Sequence, residues 1–560
     1  MRSTLLFLML SYMSFSALST PAGDLLVRGG TIYTMDEANP TAEAVVIAKG
    51  IIHFVGDEAK TKPYVGSNTR TLDLAGMTMI PGFIEGHGHL MSLGRTLQEL
   101  DLSSVTSYEA LVEKVAAAVV DAKPGEWILG RGWHQSKWNP KPKVAVKGFQ
   151  THAALSSISP DNPVMLAHAS GHAIFVNAKA MALVGIDRKT RFTDGGEIIK
   201  DGEGRPTGIL TENATRLVEH KLPRPTAKSE RRALKLALAE LGKNGITSFQ
   251  DAGSVATEIN IMRGFRNKNK LTSRLWVMIA GWESELLSEW LENGPEIDKE
   301  KHRLTVRAIK LSADGALGSR GAWLLKPYTD RPGHSGAATI PMTDVYKVSK
   351  AALKSGFQLC VHAIGDRANR EVLSQFEKAF DGKQSTARFR IEHAQHLNAE
   401  DIPRFAKLGV IASMQGIHMS SDRPWAIDRL GQERIVEGAY VWRKLKDSGA
   451  VVINGTDVPV EPVDPVASFY SLVTRKTLAG TPENGYEPAQ KLSRMEALKA
   501  YTLDAAYGAF EEDIKGSIEV GKLGDFTILS KDILTIPEEQ LLDVRVEKTI
   551  VGGDVIYSRD

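Results

Sequence analysis

The chain has 560 residues, a formal net charge of +2, 42% hydrophobic and 24% charged residues, and one cysteine. That composition is globular, neither disordered nor collagen-like, and its balanced charge gives no basic field for nucleic acid. A lone cysteine excludes an internal disulfide and every Cys-cluster metal site.

Residues 1–19 read as a signal peptide. Arg2 supplies the positive charge, and Leu5 to Leu18 an apolar run of about 14 residues, short for a bilayer span. Ala17-Leu18-Ser19 offers small residues for cleavage. The alternative is a buried N-terminal helix. No cysteine lies near the cleavage region, so no lipoprotein anchor is expected, and the protein is expected to be exported, periplasmic or secreted. Cys360, inside the apolar run Phe357 to Val361, reads as a buried thiol.

From Asp24 the sequence turns to short strands: 24–30, Thr31 to Met35, Ala44 to Ile47, Ile51 to Val55 and Thr71 to Leu74. The far end matches, with strands over 524–529, Val544 to Ile550 and Asp554 to Tyr557. Residues 20–78 and 510–560 are therefore expected to form one β-sandwich from both termini.

Between them, apolar strands alternate with helical stretches, the pattern of a parallel sheet. The strands expected are Thr78 to Ile84, Ile246 to Gln250, Arg274 to Ala280, Thr305 to Leu311, Phe357 to His362, Arg388 to Glu392, Val410 to Met414 and Val451 to Asn454. Eight strands joined by helices imply an α/β fold, a (β/α)8 TIM barrel over residues 79–509. The wide gap after the first strand predicts an insertion at about 93–244. It holds Trp127, Trp133, Trp138, the loop Arg131 to Gln135, and Gly171-His172.

The strongest chemical signal ends the first strand, at Glu85-Gly86-His87-Gly88-His89. Residues i and i+2 of an extended chain point the same way, so two imidazoles enter the barrel mouth together and suit one metal. Lys310 sits in the apolar run Ala308 to Leu311, where its charge must be answered. His362, His393 and Asp457 close or follow later strands. Singly, each has an ordinary structural reading. Together they line the C-terminal strand ends, where barrel active sites form.

This ordered set resembles the amidohydrolase superfamily in its binuclear form, across nearly all of the chain after residue 19. The string Lys310 to Arg320, with Val361 to Ala368 and Ile391 to Gln395, is similar to the branch containing N-substituted formamide deformylases. One departure is visible: Glu85 stands where that family usually has aspartate. The resemblance implies that His87, His89 and Asp457 bind a buried metal, that His362 and His393 bind a second, and that Lys310 bridges both as a carbamate formed with CO2. Nitrogen and oxygen donors without thiolate suit Zn2+, with manganese, iron, cobalt or nickel as alternatives. It further implies an enzyme, a metal-dependent hydrolase that cleaves a non-peptide C–N bond, amide or formamide-like, by a metal-bound hydroxide, with Asp457 as general base and then acid.

His172 is a candidate hydrogen-bond donor to the substrate carbonyl. Arg320, Trp133, His134 and Asp314 are candidate substrate contacts, with core packing open for Trp133 and a loop brace open for Arg320. The expected partners are a small-molecule substrate, no nucleic acid and no membrane anchor, with a homodimer left open. Three other readings stay open: a mononuclear deaminase, a D-aminoacylase-like enzyme and a non-catalytic secreted binding protein of the same fold.

Overall fold

Eight strands with both faces buried, β1 (Phe83–Gly88), β2 (Ile246–Ser254), β3 (Arg274–Ala280), β4 (Leu304–Ser312), β5 (Gln358–Ala363), β6 (Arg390–His393), β7 (Ile411–Met414) and β8 (Val452–Asn454), carry the largest core. This computed structural model describes residues 22–135, 138–168, 173–193, 196–223 and 225–559. Each strand pairs in parallel with the next, and a two-residue strand, Glu296–Ile297, adds antiparallel to β4. The near-continuous apolar runs of these strands reflect burial on both faces, as in barrels.

The seam between β8 and β1 closes just beyond the strands. Asp457 N–H donates to His87 O at 2.8 Å, and His89 N–H to Val458 O at 2.7 Å. Gly86 permits the approach, since a Cβ there would lie 2.4 Å from Asn454 O. The same hydrogen bonds bring residues of the first and last strands to one place.

The run Thr78 to Ile84 is not one barrel strand. Thr78–Pro81 belongs to the terminal sheet, and the chain passes through Gly82 into β1. Both segments are buried apolar, so hydropathy does not separate them. The terminal sheet runs Asp554–Ser558, Val546–Val551, Phe526–Leu529, Thr78–Pro81, Leu25–Tyr33, Thr41–Ala48, Ile51–Gly56, with Arg70–Asp73 also on Leu25–Tyr33. Leu25–Tyr33 is one strand, not two: its register slips between Arg28 and Ile32, around Gly29 at φ 81°. A buried ion pair, Arg274 Nε to Asp525 Oδ2 at 2.6 Å, ties this sheet to β3.

After β1 the chain leaves the barrel. Gly196–Lys200, Pro206–Glu212, Ala173–Val176, Val164–His168, Ile128–Trp133 and Leu100–Asp101 form a separate mixed sheet. It packs its own core, including Leu111, Trp133, Trp138, Leu166 and Phe175. Helix Ala227–Lys243 then returns to the barrel. Its buried Leu234, Ala237, Leu238 and Leu241 recur at helical spacing within the barrel core, and the Thr226 hydroxyl caps it by accepting from Ser229 N–H at 3.1 Å. Among the described residues no helix is long and apolar enough to cross a membrane. Residues 1–19 lie outside the described residues.

Candidate metal centre

His87 is fully buried, and its Nδ1–H is engaged by Glu392. Arg390, on the same face of β6, holds both Glu392 oxygens at 2.7 and 3.0 Å. It also donates to Gly86 O at 2.7 Å and Ser413 Oγ at 2.9 Å. This chain of contacts fixes the imidazole plane and leaves Nε2 facing inward. There it meets Lys310 Nζ at 3.2 Å and Asp457 Oδ1 at 3.5 Å. His89 Nε2 lies 3.1 Å from the same oxygen.

His393 is held in the same manner. Its Nδ1 pairs with Gln415 Oε1 at 2.7 Å, which leaves Nε2 as the free donor. Ligand atoms of His87, His393 and Asp457 lie within 4.8 Å of one another, and the His362 ring centre is 4.5 Å from that of His393. His393 and Asp457 both adopt positive φ, 76° and 58°. Such backbone is costly for residues with a Cβ and clusters at functional sites.

Burial, followed by the Lys310 charge, brings His87 down to about 4 and His362 to about 3. Burial and neighbouring His362 hold His393 well below the usual imidazole value. These rings are neutral at pH 7, the state in which they ligate metal. Burial raises the Asp457 carboxyl, but adjacent His89, His393 and His87 outweigh it and keep the group well below the usual range. Lys310 is pushed down by burial, and among the described residues no carboxylate pairs with it. Asp457 Oδ1 is buried with no hydrogen aimed at it. Neutral nitrogen donors and an ionised carboxylate converging on one spot fit divalent metal.

Glu85 also lies inside. It accepts from Thr456 N–H, one residue before Asp457, and burial raises it to about 8. The longer side chain spans the seam and braces the Asp457 turn from β1.

The other sequence candidates are placed elsewhere. Asp314 accepts backbone N–H from Trp323 (2.8 Å), Ile364 (3.0 Å) and Gly365 (2.8 Å), and stands 3.5 Å from His362 Nε2. These contacts shape the turn beside His362. Arg320 is spent on Asp330, at 3.1 and 2.7 Å, and Asp330 also pairs with Arg429; this is the loop brace. Trp133 is 0% exposed in the insertion core and donates to Leu166 O at 2.9 Å, so it offers no surface to a ligand. His134 lies next to it, its ring 4.6 Å from that of His168. His172 lies outside the described residues. Cys360 packs with Trp276, Met278 and Ala308 inside the barrel and interacts with Glu392 and Lys310, but it is not in the group formed by His87, His393 and Asp457.

Arg390, Glu392 and Gln415 were not among the residues singled out from the sequence. The alternation Arg390-Ile391-Glu392 in a strand was a readable signal, since a charged pair on one face of a barrel strand must be answered inside.

A family model described as "Amidohydrolase family" matches residues 70–557. The chain is 32% identical to the Bacillus subtilis (strain 168) protein provisionally named amidohydrolase YtcJ, over 95% of this chain and 99% of that one. It is 27% identical to N-substituted formamide deformylase of Arthrobacter pascens, over 96% and 99%. An uncharacterized metal-dependent hydrolase from Pyrococcus horikoshii OT3 superposes with a TM-score of 0.76 at 27% identity, over 92% of this chain and 99% of that one.

Proposed function

The chain belongs to the amidohydrolase family, as a metal-dependent hydrolase acting on carbon–nitrogen bonds, and on that premise we propose that it cleaves a non-peptide amide or N-substituted formamide. The observation that carries this reading is the meeting of His87, Lys310, His393 and Asp457 at one buried spot. His87, His89 and Asp457 would hold one divalent ion and His362 and His393 a second, and Zn2+ is the ion best suited to this donor set. Divalent cations bound there supply acidified water and a Lewis acid for the carbonyl oxygen.

The chain's own residues do the rest. Burial favours the neutral amine of Lys310, the form to which CO2 would add with loss of a proton, and the carbamate would give the site an anionic oxygen donor. The Asp457 carboxylate takes a proton from water and returns it to the leaving nitrogen. Glu392 and Gln415 keep His87 and His393 in the tautomer that presents Nε2. Lys310 favours this reading over a mononuclear deaminase, and the position of Cys360 favours it over a cysteine-ligated enzyme.

The test is a screen of N-substituted formamides and N-acyl amino acids on zinc-loaded protein, with released amine measured. Asp457→Asn is expected to lower turnover by roughly 10²–10⁴-fold, with metal still present by elemental analysis. Full activity in that variant would remove Asp457 from the chemistry.

A further inference from the structure

A second polar group lies beside the converging donors, at the ends of β6, β7 and β8. The helix that begins at Gly416 carries His418 and Asp422 one turn apart. The His418 ring stacks on His393, with centres 6.2 Å apart and planes at 16°. His418 is 8% exposed, and its Nε2 is buried without a hydrogen-bond partner. Asp422 accepts from Gln395 Nε2 at 3.1 Å and from the Tyr440 hydroxyl at 3.4 Å. Gln395 follows His393 by two residues. The Ser421 hydroxyl links Asp422, at 3.4 Å, to Glu461, four residues past Asp457. The group is thus chained to two residues of the metal centre.

Among the described residues neither Asp422 nor Glu461 has a lysine or arginine at ion-pair distance. The nearest cation in sequence, Arg423, is turned to Glu487 at 2.7 Å. Two carboxylates drawn together in a half-buried place without a counter-cation repel one another. Burial raises both above the ordinary range. They are not spent on holding the fold together by charge, and they adjoin the reacting centre.

We propose that Asp422, Glu461 and His418 form the subsite for a protonated amine on the substrate. The enzyme then takes amides carrying an ammonium group next to the scissile bond. An ammonium has three N–H donors. Asp422 and Glu461 supply two acceptors, and His418 Nε2, in the Nδ1–H tautomer, supplies the third. Binding replaces mutual repulsion of the carboxylates by attraction to one shared cation. Tyr440 and Gln395 fix Asp422 in place, so little side-chain freedom is lost on binding.

This inference rests on the proposed amide hydrolysis, and two probes separate the two ideas. N-acetylethylenediamine carries the ammonium; N-propylacetamide is its neutral near-isostere. Calorimetry on the zinc-loaded protein at pH 7 is expected to give roughly tenfold or tighter binding of the cationic probe. Released amine is measured in parallel. Glu461→Gln, and Glu461→Gln combined with Asp422→Asn, are expected to bring the affinity ratio toward one with metal content and thermal midpoint retained. Tight binding of the cationic probe without hydrolysis of either supports the subsite and counts against the hydrolase reading. Hydrolysis of both at equal affinity supports the hydrolase and overturns the subsite. Equal affinity in the absence of turnover, including no binding of either, overturns it as well.

Discussion

At the scale of single residues, the centre depends on side chains that never touch a substrate. His393 stands in left-handed backbone at φ 76°, and its ring keeps its direction through Gln415 at 2.7 Å. Such backbone costs on the order of 1–3 kcal/mol, so the surroundings must hold it. Gln415→Leu removes the acceptor for Nδ1–H and frees the tautomer. We expect metal affinity to fall roughly tenfold or more, read as zinc uptake against a competing chelator. Unchanged uptake would mean that the ring is held by packing alone. The His87 and His89 pair was legible from its spacing, because period two on a strand is a local rule. Glu392 was not, because its partner His87 lies 305 positions away in sequence and only barrel closure brings them together. Trp133 shows the opposite case. An indole in a glycine-flanked loop invites a pocket reading, yet its apolar area is buried in the insertion's own core.

At the scale of elements, the barrel strands were legible because a parallel strand buried on both faces is an unbroken apolar run between helices. The same property hid the change of sheet at Gly82. Helix Arg494–Ala500 opens with Ser493 and Glu496 in a reciprocal capping box. The Arg443 hydrogen bond is the main reason that Glu496 is held at about 2. The sign follows from proton counting. Between pH 4.5 and 2 the unfolded chain binds a proton at this site that the folded chain does not. Glu496 therefore stabilises above that window, and the benefit is lost as the pH falls through it. Glu496→Gln is expected to cost about 1 kcal/mol at pH 7, allowing for solvent screening. Its thermal midpoint should converge on that of the parent protein as the pH drops toward 2. A gap that does not narrow would assign the effect to the cap instead of the charge.

At the scale of the whole molecule, both ends of the chain meet in one sheet, and that sheet is fastened to the barrel. The turn patterns of the two ends were alike enough to suggest their pairing from sequence. The fastening was not visible, since Arg274 and Asp525 are each unremarkable in their local context. Together they form a buried pair, both 4% exposed at the side chain, with Nη2 to Oδ1 at 2.8 Å. Asp525→Ala strands a buried guanidinium, and we expect a loss of roughly 3–5 kcal/mol. The midpoint of urea denaturation checks this, and an unshifted midpoint would show that the pair contributes nothing.

The pairing of Thr78–Pro81 with Phe526–Leu529 bears on how the protein is made. The strand that leads directly into the first pair of histidines waits for a partner near the other end of the message. At ordinary translation speeds, the roughly 440 residues between them take about 20 to 90 s to emerge. For roughly the first two-thirds of that interval His87 and His89 are already synthesised while His393 and Asp457 are still to come. The donor set is therefore completed late, and a message truncated near its 3′ end would yield a polypeptide holding every donor but lacking three strands of the terminal sheet, the partner of Thr78–Pro81 among them.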